Sequence, residues 1–164
     1  RYAFSFPILG REVPIGNYNV TRHLIRFESD ASRKISIETS YEFGGYFNGR
    51  LNTITLSGRI APTPHLSFNG SFERNTFSNF GIQMEDFTTD LYTAGLRFAI
   101  NPRIQFSAFY QYNTFNQQGI VNARASWEFS PLSFLHLVFN ENNLISSKTE
   151  NQNFISKISY LKQF

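Results

Sequence analysis

From Lys34 to Phe43 the side chains split into two sets with no exception to the period of two. Ile35, Ile37, Thr39, Tyr41 and Phe43 fall on one side, and Lys34, Ser36, Glu38, Ser40 and Glu42 on the other. Successive Cβ atoms of a strand point to opposite faces, so this stretch reads as a ribbon with one apolar and one polar face. The split recurs. Leu66, Phe68, Gly70 and Phe72 alternate with His65, Ser67, Asn69, Ser71 and Glu73; Ile104, Phe106, Ala108, Tyr110 and Tyr112 with Gln105, Ser107, Phe109, Gln111 and Asn113; and Val121, Ala123, Ala125, Trp127 and Phe129 with Ile120, Asn122, Arg124, Ser126 and Glu128.

Four short turn signals punctuate these ribbons about every thirty residues. They are Asp30-Ala31-Ser32-Arg33, Ala61-Pro62-Thr63-Pro64, Asn101-Pro102-Arg103 and Ser130-Pro131-Leu132. Longer polar connections are expected between them, and short turns at one rim with long loops at the other mark an outer-membrane β-barrel. The fold class expected is therefore all-β, a transmembrane antiparallel up-and-down barrel. About ten crossings fit this chain: residues 2–8, 18–29, 34–43, 51–60, 65–74, 90–100, 104–113, 120–129, 134–140 and 153–164. On that count both termini lie at the short-turn rim.

Composition narrows the choice. The chain holds 19 Phe and 8 Tyr, yet its mean hydropathy is -0.30. A wall that is apolar outside and polar inside averages in this way. No run reaches the roughly 18 apolar residues of a membrane helix. The chain has no Cys, and its net charge of +3 is scattered, which leaves no nucleic-acid footprint. A soluble sandwich also alternates. Against it stand the aromatic residues near strand ends, Tyr41, Phe43, Tyr110, Tyr112, Trp127 and Phe129, where membrane interfaces hold aromatic girdles. The final segment also ends on Phe164, with Ile158 and Tyr160 in phase and Lys162 interrupting. It resembles the C-terminal β-signal read by the barrel-assembly machinery.

Residues 26–33 (RFESDASR), 44–49 (GGYFNG), 102–113 (PRIQFSAFYQYN), 122–131 (NARASWEFSP) and 135–141 (LHLVFNE) carry a further likeness. From about Tyr18 to Phe164 the chain resembles the C-terminal barrel region of Bacteroidetes outer-membrane proteins whose N-terminal portion is labelled a carbohydrate-binding family 9-like domain. The resemblance implies that these 164 residues are the C-terminal portion of a larger barrel. It implies no carbohydrate-binding residue here. The family usually has Gly after the Pro of the 130–132 turn, where this chain has Leu132, so the turn type stays open.

Candidate functional residues form three groups. Arg22, Arg26, Glu38, Glu42, Glu73, Arg97, Arg124, Glu128 and Lys157, with Glu28, Lys34 and Asp90, are expected to face the lumen. There they either pair across strands or line a solute path. Residues 76–89 are expected to form a mouth loop in which Phe77, Phe80, Met84 and Phe87 fold over the opening or meet a partner. Residues 142–152 are expected to be a polar, mobile loop. His23, His65 and His136 lie too far apart for a zinc site, so neither a metal nor a cofactor is expected. Ser133 and His136 fall on opposite faces, which argues against a serine hydrolase, and no enzyme activity is expected. The expected function is a transport or export-associated channel component, or alternatively a membrane anchor or accessory subunit of a larger complex. Its expected partners are outer-membrane lipid and lipopolysaccharide, the assembly machinery during insertion, and other outer-membrane subunits. The C-terminus would be periplasmic.

Overall fold

The computed structural model describes residues 4–144 and 149–161. Its body is a nine-stranded antiparallel meander, all-β, with no helix among the described residues. The strands are β3 (Arg22–Glu28), β4 (Ile35–Tyr46), β5 (Gly49–Thr63), β6 (Leu66–Phe80), β7 (Glu85–Asn101), β8 (Ile104–Asn113), β9 (Gln118–Ser130), β10 (Ser133–Leu144) and β11 (Thr149–Ser159). Each pairs with its neighbours in the chain, and β3 and β11 are the two edges. A short hairpin of β1 (Phe6–Ile8) and β2 (Arg11–Val13) precedes the meander.

The turn chemistry is local. Asp30 Oδ1 accepts from the Ser32 amide at 2.9 Å and its hydroxyl at 2.7 Å, and Asn101 Oδ1 accepts from the amides of Arg103 and Ile104 at 2.9 and 3.0 Å. Such side chains replace a ladder partner at a chain reversal.

Three expectations are corrected. The first crossing does not form. Pro7 lacks an amide hydrogen, the chain reverses at Leu9 (φ 49) and Gly10 (φ 74), and Pro14 follows, so this segment cannot extend as a ladder strand. The sheet therefore has nine strands rather than ten. Being odd in number, it carries the hairpin at the end opposite the 131–132 turn, beside which β11 finishes, so the two described chain ends lie at opposite ends of the ribbon.

The long loops are also absent from the described residues. Residues 76–89 are mostly strand: β6 runs on to Phe80, β7 starts at Glu85, and the turn is 81–84. Thr76 pairs with Thr88 and Phe77 with Phe87, so alternation outlasts the apolar stretch and the ladder continues with it. Likewise β10 extends to Leu144 and β11 begins at Thr149, while residues 145–148 lie outside the described residues.

The register carries one apolar face across all nine strands. Ile25, Tyr41 and Ile54 lie in line, as do Phe68 and Leu96, Phe72 and Tyr92, and the row Ala108, Ala123, Phe139 and Phe154. This face is the exposed one. Ile25 is 65% exposed, Leu56 49%, Trp127 49% and Ile158 70%, whereas Thr53, Thr55, Ser57, Thr89 and Thr93 on the polar face are half-buried. Among the described residues only Val13, Leu51, Phe77 and Phe80 form a buried apolar core. The accessible surface of 11508 Å² compares with about 8,400 Å² for a compact soluble chain of this mass. No ladder joins β3 to β11, so the sheet is open as a pairing diagram.

Candidate functional site: the polar face and its covered end

The β1–β2 hairpin sits on the polar face at the 81–84 end. Val13 is fully buried with Leu51, Phe77 and Phe80, and Phe6, Ile8, Leu9, Tyr18, Tyr46, Phe47 and Phe87 pack around them. Phe77 and Phe87 stack at 4.4 Å, and Phe47 meets Phe6, Tyr18 and Tyr46 edge-on. Arg11 ties the hairpin down: its Nε lies 2.6 Å from Glu85 Oε2, and its guanidinium carbon lies 3.6 Å from the centre of the Phe87 ring. The tip of β6 and β7 answers from below. The Ile82 amide donates to the Glu12 carbonyl at 2.8 Å, and Asn48 Nδ2 donates to the Gly81 carbonyl at 2.8 Å. Gly81 has φ +78, and a Cβ there would stand 3.2 Å from the Glu12 oxygen, so glycine serves both the turn and the close approach.

Thus three of the four expected mouth residues, Phe77, Phe80 and Phe87, belong to this seat, and Met84 is exposed in the turn. The hairpin covers these three rings. Sequence reading missed the hairpin. Its signal was present in the alternation of Phe4, Phe6 and Ile8 broken by Pro7, Gly10 and Pro14.

Arg22, Arg26, Glu38, Glu42, Glu73, Arg97, Arg124, Glu128 and Lys157 all lie in register on the polar face. Their partners divide them into two sectors. On β3 and β4, Arg22 Nε meets Glu42 Oε1 at 2.5 Å, and Arg26 Nη2 meets Glu28 Oε2 at 3.1 Å and Glu38 Oε1 at 2.9 Å. Glu73 accepts from Asn75 Nδ2 at 2.7 Å. Across β7 to β11 the pattern changes. Arg97 and Arg124 are exposed and have no ion pair among the described residues, and Glu128 is engaged by the Leu132 amide at 3.0 Å.

Asp90, expected inward, lies instead on the apolar face. There Arg74 grips it in a fork, with Nε and Nη2 each 2.8 Å from one carboxylate oxygen. The pair sits two residues beyond Phe72 and Tyr92, past the apolar stretch, so the charge does not interrupt it. His23 lies tilted against Phe43 on the apolar face, and His136 stacks on Phe134 on the polar face. Among the described residues no three metal-binding side chains converge. Ser133 is fully buried, and its Oγ accepts from the Leu161 amide at 3.1 Å, which fastens the end of β11. Ile158 lies on the apolar face opposite Leu135, and Tyr160 is exposed just past β11. Phe164 lies outside the described residues. Compared with known proteins, the chain matches no family model, no curated protein and no solved structure.

Proposed function

We propose that this ribbon is part of the wall of a larger outer-membrane β-barrel, and that the barrel serves as a transport or export-associated channel. The carrying observation is the inverted exposure: apolar side chains face out while polar ones crowd the shielded side. A soluble monomer seldom exposes a contiguous apolar patch beyond a few hundred Å². Here the apolar stretches of β4, β8 and β9 each run about nine residues, or about 30 Å along the strand. At a tilt near 40° that covers about 23 Å of depth, close to the roughly 25 Å apolar band of such barrels. Rings at its margins, including the Tyr41 and Phe43 pair at 5.1 Å and the Trp127 and Phe129 pair at 6.0 Å, fit interfacial girdles.

Parity supports the larger barrel. Edge strands β3 and β11 run in the same direction, so joining them directly would make one parallel seam in an antiparallel wall. An odd number of further strands closes the wall in the usual even count and satisfies both edges, which hydrocarbon demands. The apolar band lies nearer the 102–103 and 131–132 turns, and β6 and β7 overhang it at the other end. That asymmetry favours a periplasmic C-terminus, with lipopolysaccharide around the overhang. The resemblance to Bacteroidetes barrels and the proposed β-signal fit insertion by the assembly machinery.

The second reading, a membrane anchor or accessory subunit, is favoured by the hairpin seated over one end of the polar face. Conductance separates the two. In a planar bilayer the channel reading predicts stepwise currents from the barrel containing these strands, and a larger current when the hairpin is removed. A barrel that inserts yet never conducts, with or without the hairpin, leaves the anchor. A chain that stays soluble without detergent overturns both.

A further inference from the structure

We infer that Arg97, Ser107 and Arg124 form a binding site for a phosphate-class oxyanion, whether free or carried on a small solute. This deepens the channel reading and rests on it for placing the site on a solute path. The geometry comes from register. Ser107 of β8 stands directly between Arg97 of β7 and Arg124 of β9, so the two Cα atoms are about 10 Å apart on the same face. Two guanidinium arms reaching inward from that spacing can close on one tetrahedral anion over the serine hydroxyl. The depression between them has a volume of ≈ 300 Å³ and is lined by Arg97, Gln105, Phe106, Ser107, Arg124 and Ser126, with no carboxylate. Gln105 Nε2 donates one of its two hydrogens to the Pro102 carbonyl at 3.0 Å, and the two serines supply neutral donors beside it.

The contrast within one face is what points to a ligand. Each arginine of β3 has a carboxylate partner, as does Arg11, whereas on the same face Arg59, Arg97 and Arg124 have none among the described residues, and of these Arg97 and Arg124 flank a single residue, Ser107. The nearest acid toward the rim, Glu128, is occupied by a turn amide. Lys157 and His136, paired with each other across β10 and β11, add further basic groups in the neighbouring row. Guanidinium forks match the oxygens of phosphate or sulfate, and hydroxyl groups supply the remaining hydrogen bonds.

Equilibrium dialysis of inorganic phosphate against the full chain in detergent micelles tests the site without requiring a pore. The expected result is saturable binding, competed by sulfate, that weakens about five- to tenfold in Arg97→Gln and in Arg124→Gln. Arg50→Gln, which removes the same charge at the far end of the apolar face, leaves it unchanged. Both target side chains are exposed, so folding is expected to survive; should either variant misfold, Arg97→Lys and Arg124→Lys keep the charge, lose the fork and are expected to bind more weakly. Absence of saturable binding, or equal weakening by Arg50→Gln, overturns the inference. Flotation of the chain with lipid vesicles reports the membrane reading separately: flotation without phosphate binding removes the site alone, and binding without flotation removes the channel alone.

Discussion

Leu132 occupies a left-handed backbone conformation, φ 60, where a branched side chain costs roughly 1–2 kcal/mol and glycine costs nothing sterically. Its side chain is exposed, so little packing opposes a change. Leu132→Gly is expected to stabilise the protein by about 0.5 kcal/mol after the extra unfolded-state entropy of glycine, read from urea unfolding in micelles. Asp30, in the turn beyond β3, offers a pH test. Hydrogen bonds from the Ser32 amide and hydroxyl hold its carboxyl below the ordinary 3.8. A depressed folded pKa means that the turn's contribution is complete above 3.8 and is lost as pH falls through the lower folded value. Carboxyl NMR titration should give a midpoint below 3.8, returning toward it in Ser32→Ala. Asp90 shows where single-residue reading failed. Its polarity assigned it inward, but Leu91 follows the inward phase and Arg74 supplies the outward partner, a fact fixed by a strand sixteen residues away.

At the scale of elements, the hairpin is held by a small set of contacts, and Arg11 makes two of them. Arg11→Ala is expected to cost about 1–2 kcal/mol of hairpin docking, combining a half-exposed ion pair with a cation–π contact. Limited proteolysis should then cut within residues 9–16 faster than in the parent, with the meander intact. Gly44 explains how β4 passes the start of β3. Its φ is +146, and a Cβ would lie 2.2 Å from the Thr21 carbonyl, the oxygen that accepts from the Gly45 amide. The Gly44-Gly45 pair stands plainly in the sequence, but its role follows only from β3 lying against it.

For the whole molecule, the two faces should respond oppositely to the same charge. Leu56 and Thr55 are neighbours on β5, one on each face. Leu56→Arg should weaken folding into lipid vesicles by about 2–4 kcal/mol if it meets the midplane, while Thr55→Arg should cost less than about 1 kcal/mol. Equal effects at the two positions would sink the membrane reading.

Period-two patterning by itself determined the strands from β3 to β11, their faces apart from Asp90, and the tight turns, because alternation and turn chemistry are local properties of the chain. Tertiary structure alone decided how far the strands run, that the first segment folds back as a hairpin, and which charges are paired. Those outcomes depend on which strand lies opposite: Phe77 continues a strand because Phe87 faces it, and Arg22 has a carboxylate where Arg97 has a serine. Cross-strand register brings together residues distant in sequence, and no local pattern encodes that distance.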